Sequence, residues 1–289
     1  MDLISATLLL LSASLAAVKN ILIKSFVGFS IKNREFFGLQ ATIFGAGTIV
    51  LIFVNFFNFE GISLYTILLA LIYGVMLLCA QWCYTIALTK GKTAICTTIY
   101  SFGFILPTLS GAIIWHEHIT LFALLGILTI FPVLIISGAD KKKQENHSTN
   151  RYIIPLIIAL LCSGGLGIVQ KIQQKSEYKN QTSTFILIAF IFSFVVSLLF
   201  FFIKKPGQKK TSKKSLGSCA IVGSFFAICN LLNTILAGRL DSAIFFPAIN
   251  IGSILISTIL GIIIYREKLT KRDIIVIFLG VIAIVLVNF

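Results

Sequence analysis

Apolar residues run through this chain in long blocks separated by short polar connectors. Stretches such as 121–137 and 274–287 are apolar on every face, whereas a transmembrane barrel strand alternates polar and apolar positions over about ten residues. A helix needs about 20 such residues to cross about 30 Å of hydrocarbon, and a backbone in lipid must bond to itself. The pattern therefore predicts helices, ten of them, near 3–23, 36–57, 64–88, 93–115, 119–138, 152–171, 183–203, 216–237, 242–265 and 273–289. The first, which has no basic residues ahead of it and no small-residue cleavage motif, is expected to be a span and not a leader. The Lys-rich stretches 139–151 and 204–215 are expected to be solvated loops.

The blocks repeat. Moved along by 150 positions, residues 84–120 align without a gap to 234–270, matching Ala87 with Ala237, Thr108 with Thr258, Gly111 with Gly261, Glu117 with Glu267 and Thr120 with Thr270. A shift of 151 likewise brings Ser12 onto Ser163, Val18 onto Val169 and Lys24 onto Lys175. Self-similarity of this kind decides architecture. It predicts an all-α membrane protein whose ten transmembrane helices form two five-helix repeats, 1–138 and 152–289, joined by a connector at 139–151. Five spans is an odd number, so the second repeat enters the membrane from the opposite side and the repeats are inverted.

Composition sharpens this picture. A chain 57% hydrophobic and only 12% charged does not suit water. The net charge of +14 would fit a nucleic-acid binder if it formed a stripe, but Lys and Arg collect in connectors, so no nucleic-acid partner is expected. Odd-numbered connectors hold nineteen of these residues; even-numbered ones hold four, with Lys171 counted among them. The positive-inside rule then predicts that both termini lie away from the cytoplasm. The six cysteines lie in or beside apolar blocks, without zinc spacing, so neither a disulfide framework nor a metal or other cofactor is expected.

The run Ala243-Ile244-Phe245-Phe246-Pro247-Ala248-Ile249-Asn250-Ile251-Gly252-Ser253, with Gly261 and the turn Glu267-Lys268-Leu269-Thr270, resembles EamA-type transporters of the drug/metabolite transporter superfamily. Trp115-His116-Glu117-His118-Ile119-Thr120 is a weaker copy of that turn. The resemblance implies a ten-helix inverted-repeat transporter with a central path lined by helices one, three, four, six, eight and nine. It also implies a multi-pass protein, expected in a bacterial cell membrane. Four-helix relatives use a Glu in their first helix to exchange protons; helix one has no such carboxylate here.

All ten acidic residues fall at helix ends or in connectors, so no carboxylate relay crosses the membrane. Lys19 and Lys171 either snorkel to the interface or mark an ionisable pathway. Tyr100, Gly103 and Pro107 make one helical stripe, and Asn250, Ser253 and Ser257 make its repeat counterpart. Gln81, Tyr84, Tyr100, Asn230, Asn233, Asn250 and Ser253 are the candidate substrate-binding residues, the alternative for each being helix–helix packing. Glu117 and Glu267 precede helices five and ten, where a carboxylate supports a helix start. Ser163, Gly164, Gly165 and Gly167 predict a close helix crossing.

These features favour a secondary transporter of a small organic solute working by alternating access, with membrane lipids as its surroundings and a monomer or weak homodimer as its state. A lipid-linked flippase or a non-transporting assembly partner is the alternative. A membrane-embedded enzyme is disfavoured, because His116, Glu117 and His118 supply neither a nucleophile–base pair nor a metal cluster.

Overall fold

The computed structural model describes residues 3–23, 33–57, 59–90, 99–117, 120–138, 153–207 and 211–265, with helical positions at 271, 274, 275, 278, 279, 282 and 286. Among the described residues the continuous helices are α1 (Leu3–Ile23), α2 (Arg34–Phe57), α3 (Leu64–Lys90), α4 (Ile105–Trp115), α5 (Leu121–Gly138), α6 (Ile153–Lys175), α7 (Thr182–Ile203), α8 (Lys213–Arg239) and α9 (Ser242–Tyr265). Among the described residues the fold is all-helical, and the protein is an integral multi-pass membrane protein. Six helices, α1, α2, α3, α6, α7 and α8, are long and apolar enough to span a bilayer, and Ile99–Trp115 and Ser242–Ser253 are shorter apolar helices. The connector at 139–151 and the turn holding Glu267 lie outside the described residues.

Side chains that would be hidden in a soluble protein face outward. Ile49, Phe53, Ile113 and Phe202 are each about two-thirds or more exposed, as a lipid-facing surface requires. Inside, α2 packs against α7 and α8, α3 against α6 and α7, α1 against α8 and α9, and α4 against α6 and α9. Some pairings recur between the two halves: α2–α8 is answered by α3–α7, and α1–α9 by α4–α6.

The connectors sort into two ends. The Arg34 N–H donates to the Lys205 carbonyl at 3.0 Å, and the Gly207 N–H donates to the Glu35 carboxylate. Those contacts join the first and seventh connectors. The second and sixth meet at the other end, where Gln181 Oε1 accepts from the Ser63 N–H and the Thr66 hydroxyl and Tyr65 stacks on Tyr178. The start of α2, at Arg34 and Glu35, and the residues just after α7, Lys205 and Gly207, thus lie at one end, and Ser63, Thr66 and Gln181 lie at the other.

Two local details shape the interior. Pro107 has no N–H to offer the carbonyl four residues back, and the chain just before it tightens into a 3-10 turn, Phe102–Phe104. A Cβ on Gly164 would come within 2.6 Å of the Gly103 carbonyl oxygen, so only a glycine lets α6 approach this turn so closely. At the far end of α4, His116 adopts a left-handed conformation (φ 53°) and the Glu117 N–H bonds back to the Gly111 carbonyl. This cap swings Glu117 out of the helix and across to the second half of the chain.

Candidate functional site

The cavity between the two halves is walled by six elements. Ala16, Lys19 and Asn20 come from α1 and Tyr73 from α3; Tyr100, Ser101, Phe104 and Pro107 come from the segment leading into α4. Across from them, α6 supplies Ser163, Gly167 and Gln170, α8 supplies Phe226, Cys229, Asn230 and Asn233, and α9 supplies Phe245, Phe246, Asn250 and Ser253. Its volume is about 140 Å³, below the roughly 300–1,000 Å³ of pockets that hold drug-sized ligands. A volume of this order suits a small molecule.

Five of the seven expected binding residues line this wall: Tyr100, Asn230, Asn233, Asn250 and Ser253. Gln81 and Tyr84 do not. Gln81 is buried, its amide nitrogen without a partner among the described residues, and Tyr84 lies behind the wall with its ring 4.3 Å from that of Tyr100. Tyr84 therefore packs behind Tyr100, its ring tilted by 31° to that of Tyr100.

The amides at the wall differ in what they have left to offer. Asn230 is fully engaged: its Oδ1 accepts from the Tyr73 hydroxyl at 2.6 Å and its Nδ2 donates to the Phe226 carbonyl at 2.7 Å. Gln170 completes that network by donating to the Tyr73 oxygen at 2.8 Å. Asn233 accepts from the Ser12 hydroxyl at 2.6 Å, and no acceptor among the described residues meets its Nδ2. Asn250 donates to the Phe246 carbonyl on its own helix at 2.8 Å, and its Oδ1 has no partner among the described residues. Asn233 and Asn250 thus keep a donor and an acceptor for a solute.

The two lysines have contrasting surroundings. Lys171 is 2% exposed, its Nζ 2.6 Å from a Glu117 carboxylate oxygen and donating to the Leu240 carbonyl at 3.0 Å. Because α6 continues to Lys175, Lys171 lies within the helix and does not belong to the connector, and it does not snorkel to a free surface. The other Glu117 oxygen accepts from the Ser242 N–H at 2.7 Å, at the start of α9. Glu117 thereby serves the N-terminus of α9, while residues 118 and 119, which lead into the helix it was expected to start, lie outside the described residues. Burial disfavours the Glu117 carboxylate, yet the Lys171 and Ser242 hydrogen bonds and the Lys171 charge outweigh that effect and hold its pKa below the ordinary value. Lys19 is 8% exposed and lies in the cavity wall, its Nζ 4.4 Å from the centre of the Phe226 ring.

Sequence reasoning passed over Asn20, Gln170 and Phe226 as wall residues. Asn20 was detectable, since it follows Lys19 and lies four residues from Ala16 on one helix face. Phe226 was not, because one Phe among 26 carries no mark of the cation above it.

Residues 150–289 match the model of the EamA-like transporter family. A Listeria innocua (serovar 6a) protein whose name reads "putative sugar uptake protein" is 29% identical over 186 residues, 62% of this chain. The match likewise spans 62% of that relative's length, short of two thirds of it. A solved crystal structure of a protein superposes with a TM-score of 0.75 over 99% of this chain and 96% of its own, at 16% identity, which is a likeness of fold.

Proposed function

We propose, from the premise that residues 150–289 are an EamA-like transporter domain, that the chain is a secondary transporter carrying a small polar organic solute across the membrane by alternating access. The observation that carries this reading is the cavity itself. Its wall comes from α1, α3 and α4 on one side and α6, α8 and α9 on the other, and it keeps unbonded amide groups in an otherwise apolar protein. Solute sites of inverted-repeat transporters lie between the repeats, so that rocking one bundle against the other exposes the site to each side in turn. The repeats are taken as 1–138 and 152–289, with 139–151 between them.

The name of the Listeria relative directs attention to sugars. An amide donor at Asn233, an amide acceptor at Asn250 and the ring of Tyr100 suit a polyhydroxylated molecule, whose hydroxyls both donate and accept. The family and that name point to transport and away from catalysis. Uptake and counterflow of labelled monosaccharides by the purified protein in liposomes, with and without a pH gradient, test the reading. Saturable, protein-dependent flux is the expected result, and flux equal to that of empty liposomes overturns it.

A further inference from the structure

Among the described residues two lysines are buried in the bundle, and one of the two is neutralised from within. Lys171 has Glu117 and the Leu240 carbonyl against its ammonium. Lys19, which is almost as buried, faces the Phe226 ring, and among the described residues neither a carboxylate nor a hydrogen-bond acceptor meets its Nζ. An aromatic face attracts a cation, but that attraction is weak beside the cost of withdrawing an ammonium from water. Lipid provides no relief, since a charged side chain within a span is costly unless it faces a partner or a watery cavity. Lys19 faces the cavity.

The rest of the wall decides what sort of partner belongs there. Among the described residues lining the cavity there is no Asp or Glu. The titratable groups facing Lys19 from neighbouring elements are the Cys229 thiol on α8 and the hydroxyls of Tyr73 and Tyr100. A protonated Lys19 therefore leaves the wall with one uncompensated positive charge. The remaining polar groups are amides and hydroxyls suited to hydroxyl-bearing ligands.

Resting on the transporter reading above, we infer that the solute carries one oxyanion, a carboxylate or a phosphate, which seats against the Lys19 ammonium while its hydroxyls meet Asn233 and Asn250. A charge that arrives with the solute also explains why the wall needs no acid of its own. When Lys19 is protonated the free protein carries the electrostatic cost of an unbalanced cation, and an anion that binds there removes it, so affinity and selectivity for anions come from the same residue.

Three probes of similar size separate the possibilities: gluconate, glucose 6-phosphate and glucose. Binding is measured by calorimetry on the full-length protein in detergent, and flux by counterflow in liposomes. At least one of the two anions should bind about tenfold or more tighter than glucose, and Lys19→Gln should abolish that preference by weakening the anion alone. Lys19→Arg should keep part of it. Lys19→Gln should also raise the melting temperature of the ligand-free protein, since it removes an unbalanced buried charge; a residue serving only to fill space would lower it.

The outcomes are separable. If Lys19-dependent anion binding is found but no probe is transported, the transporter reading fails and the oxyanion site stands. If glucose binds or moves as well as both anions, or Lys19→Gln leaves anion binding unchanged, the oxyanion site falls while transport stands. Equal loss of all three probes in Lys19→Gln, or no binding of either anion to the wild type, also overturns the site.

Discussion

Lys171 Nζ and Glu117 Oε1 lie 2.6 Å apart in the interior, joining α6 to the turn that ends α4, and the same carboxylate holds the first N–H of α9. Both side chains are more than nine-tenths buried, so neither charge has water to fall back on. Breaking such a pair from one side costs about 3–5 kcal/mol, whereas replacing both members with apolar residues is often close to neutral. Glu117→Gln should therefore lower the melting temperature in detergent markedly. The double variant Glu117→Leu/Lys171→Met should recover most of the loss. A double variant as unstable as the single would show that the charges are not what makes Glu117 necessary.

The pH dependence of this contact has a definite sign. The Glu117 pKa is depressed in the folded protein below its ordinary value of 4.5, so the folded state binds its proton more weakly than the unfolded state does. The contribution of Glu117 to stability is complete above that unfolded value and is lost as pH falls through the lower folded one. Thermal stability should change little on this account between pH 7 and pH 5 and should fall below about pH 4. Glu117→Gln should remove that acid limb. A wild type and variant with parallel acid profiles would contradict the assignment.

The αL cap is a separate source of instability. His116 at φ 53° carries a Cβ where glycine is preferred, and the adjacent bond from the Glu117 N–H to Gly111 does not involve its side chain. His116→Gly should stabilise the protein by roughly 0.5–1 kcal/mol, the usual relief of left-handed strain at a helix C-terminus. Chemical or thermal unfolding should show a small upward shift; a downward shift would mean that the imidazole makes a contact worth more than the strain.

Much of the bundle was legible because lipid imposes a simple code. Apolar length gives the helices, and the expected and observed ends of α1, α5, α7 and α9 differ by at most two residues. The misreading at the end of α6 has a physical cause. Lys171, Gln173 and Lys175 look like a connector, but burial of Lys171 against Glu117 lets the helix run on to Lys175. That partner lies 54 residues back along the chain, beyond the reach of any periodicity. Wall residues on the repeat-related stripes, such as Tyr100 and Asn250, were legible from spacing. Which amides stay free was not, since Asn230 and Asn250 differ only in neighbours contributed by other helices.

Topology is open to direct test. The connectors that meet at Arg34 and Lys205 belong to the Lys-rich set. Burial of Lys171 removes one of the four charges counted on the opposite side, which strengthens the bias. A reporter fused after Phe289 should therefore be extracytoplasmic. Neutralising Lys204, Lys205, Lys209, Lys210, Lys213 and Lys214 together should give mixed orientation. Full cytoplasmic activity of the wild-type fusion would reverse the assigned sides.

Asn250 and Asn230 line the same cavity, and the structure predicts opposite consequences for losing them. Asn250 donates only to the Phe246 carbonyl of its own helix, and removing a membrane-embedded hydrogen bond costs on average about 0.6 kcal/mol and at most about 2. Asn250→Ala should thus fold with nearly unchanged melting temperature while solute affinity or flux falls. Asn230 uses both amide atoms, one on Tyr73 and one on Phe226, and Gln170 leans on the same Tyr73 oxygen. Truncating it leaves a buried phenol without its acceptor, so Asn230→Ala should lower stability first and affect transport through the displaced Tyr73. Ser224→Ala, whose hydroxyl bonds only the Ala220 carbonyl of its own helix and does not line the cavity, should change neither. Melting curves and liposome flux measured on the three variants decide the matter. An Asn250→Ala protein with wild-type affinity and rate would return Asn250 to a packing role and remove it from the solute path.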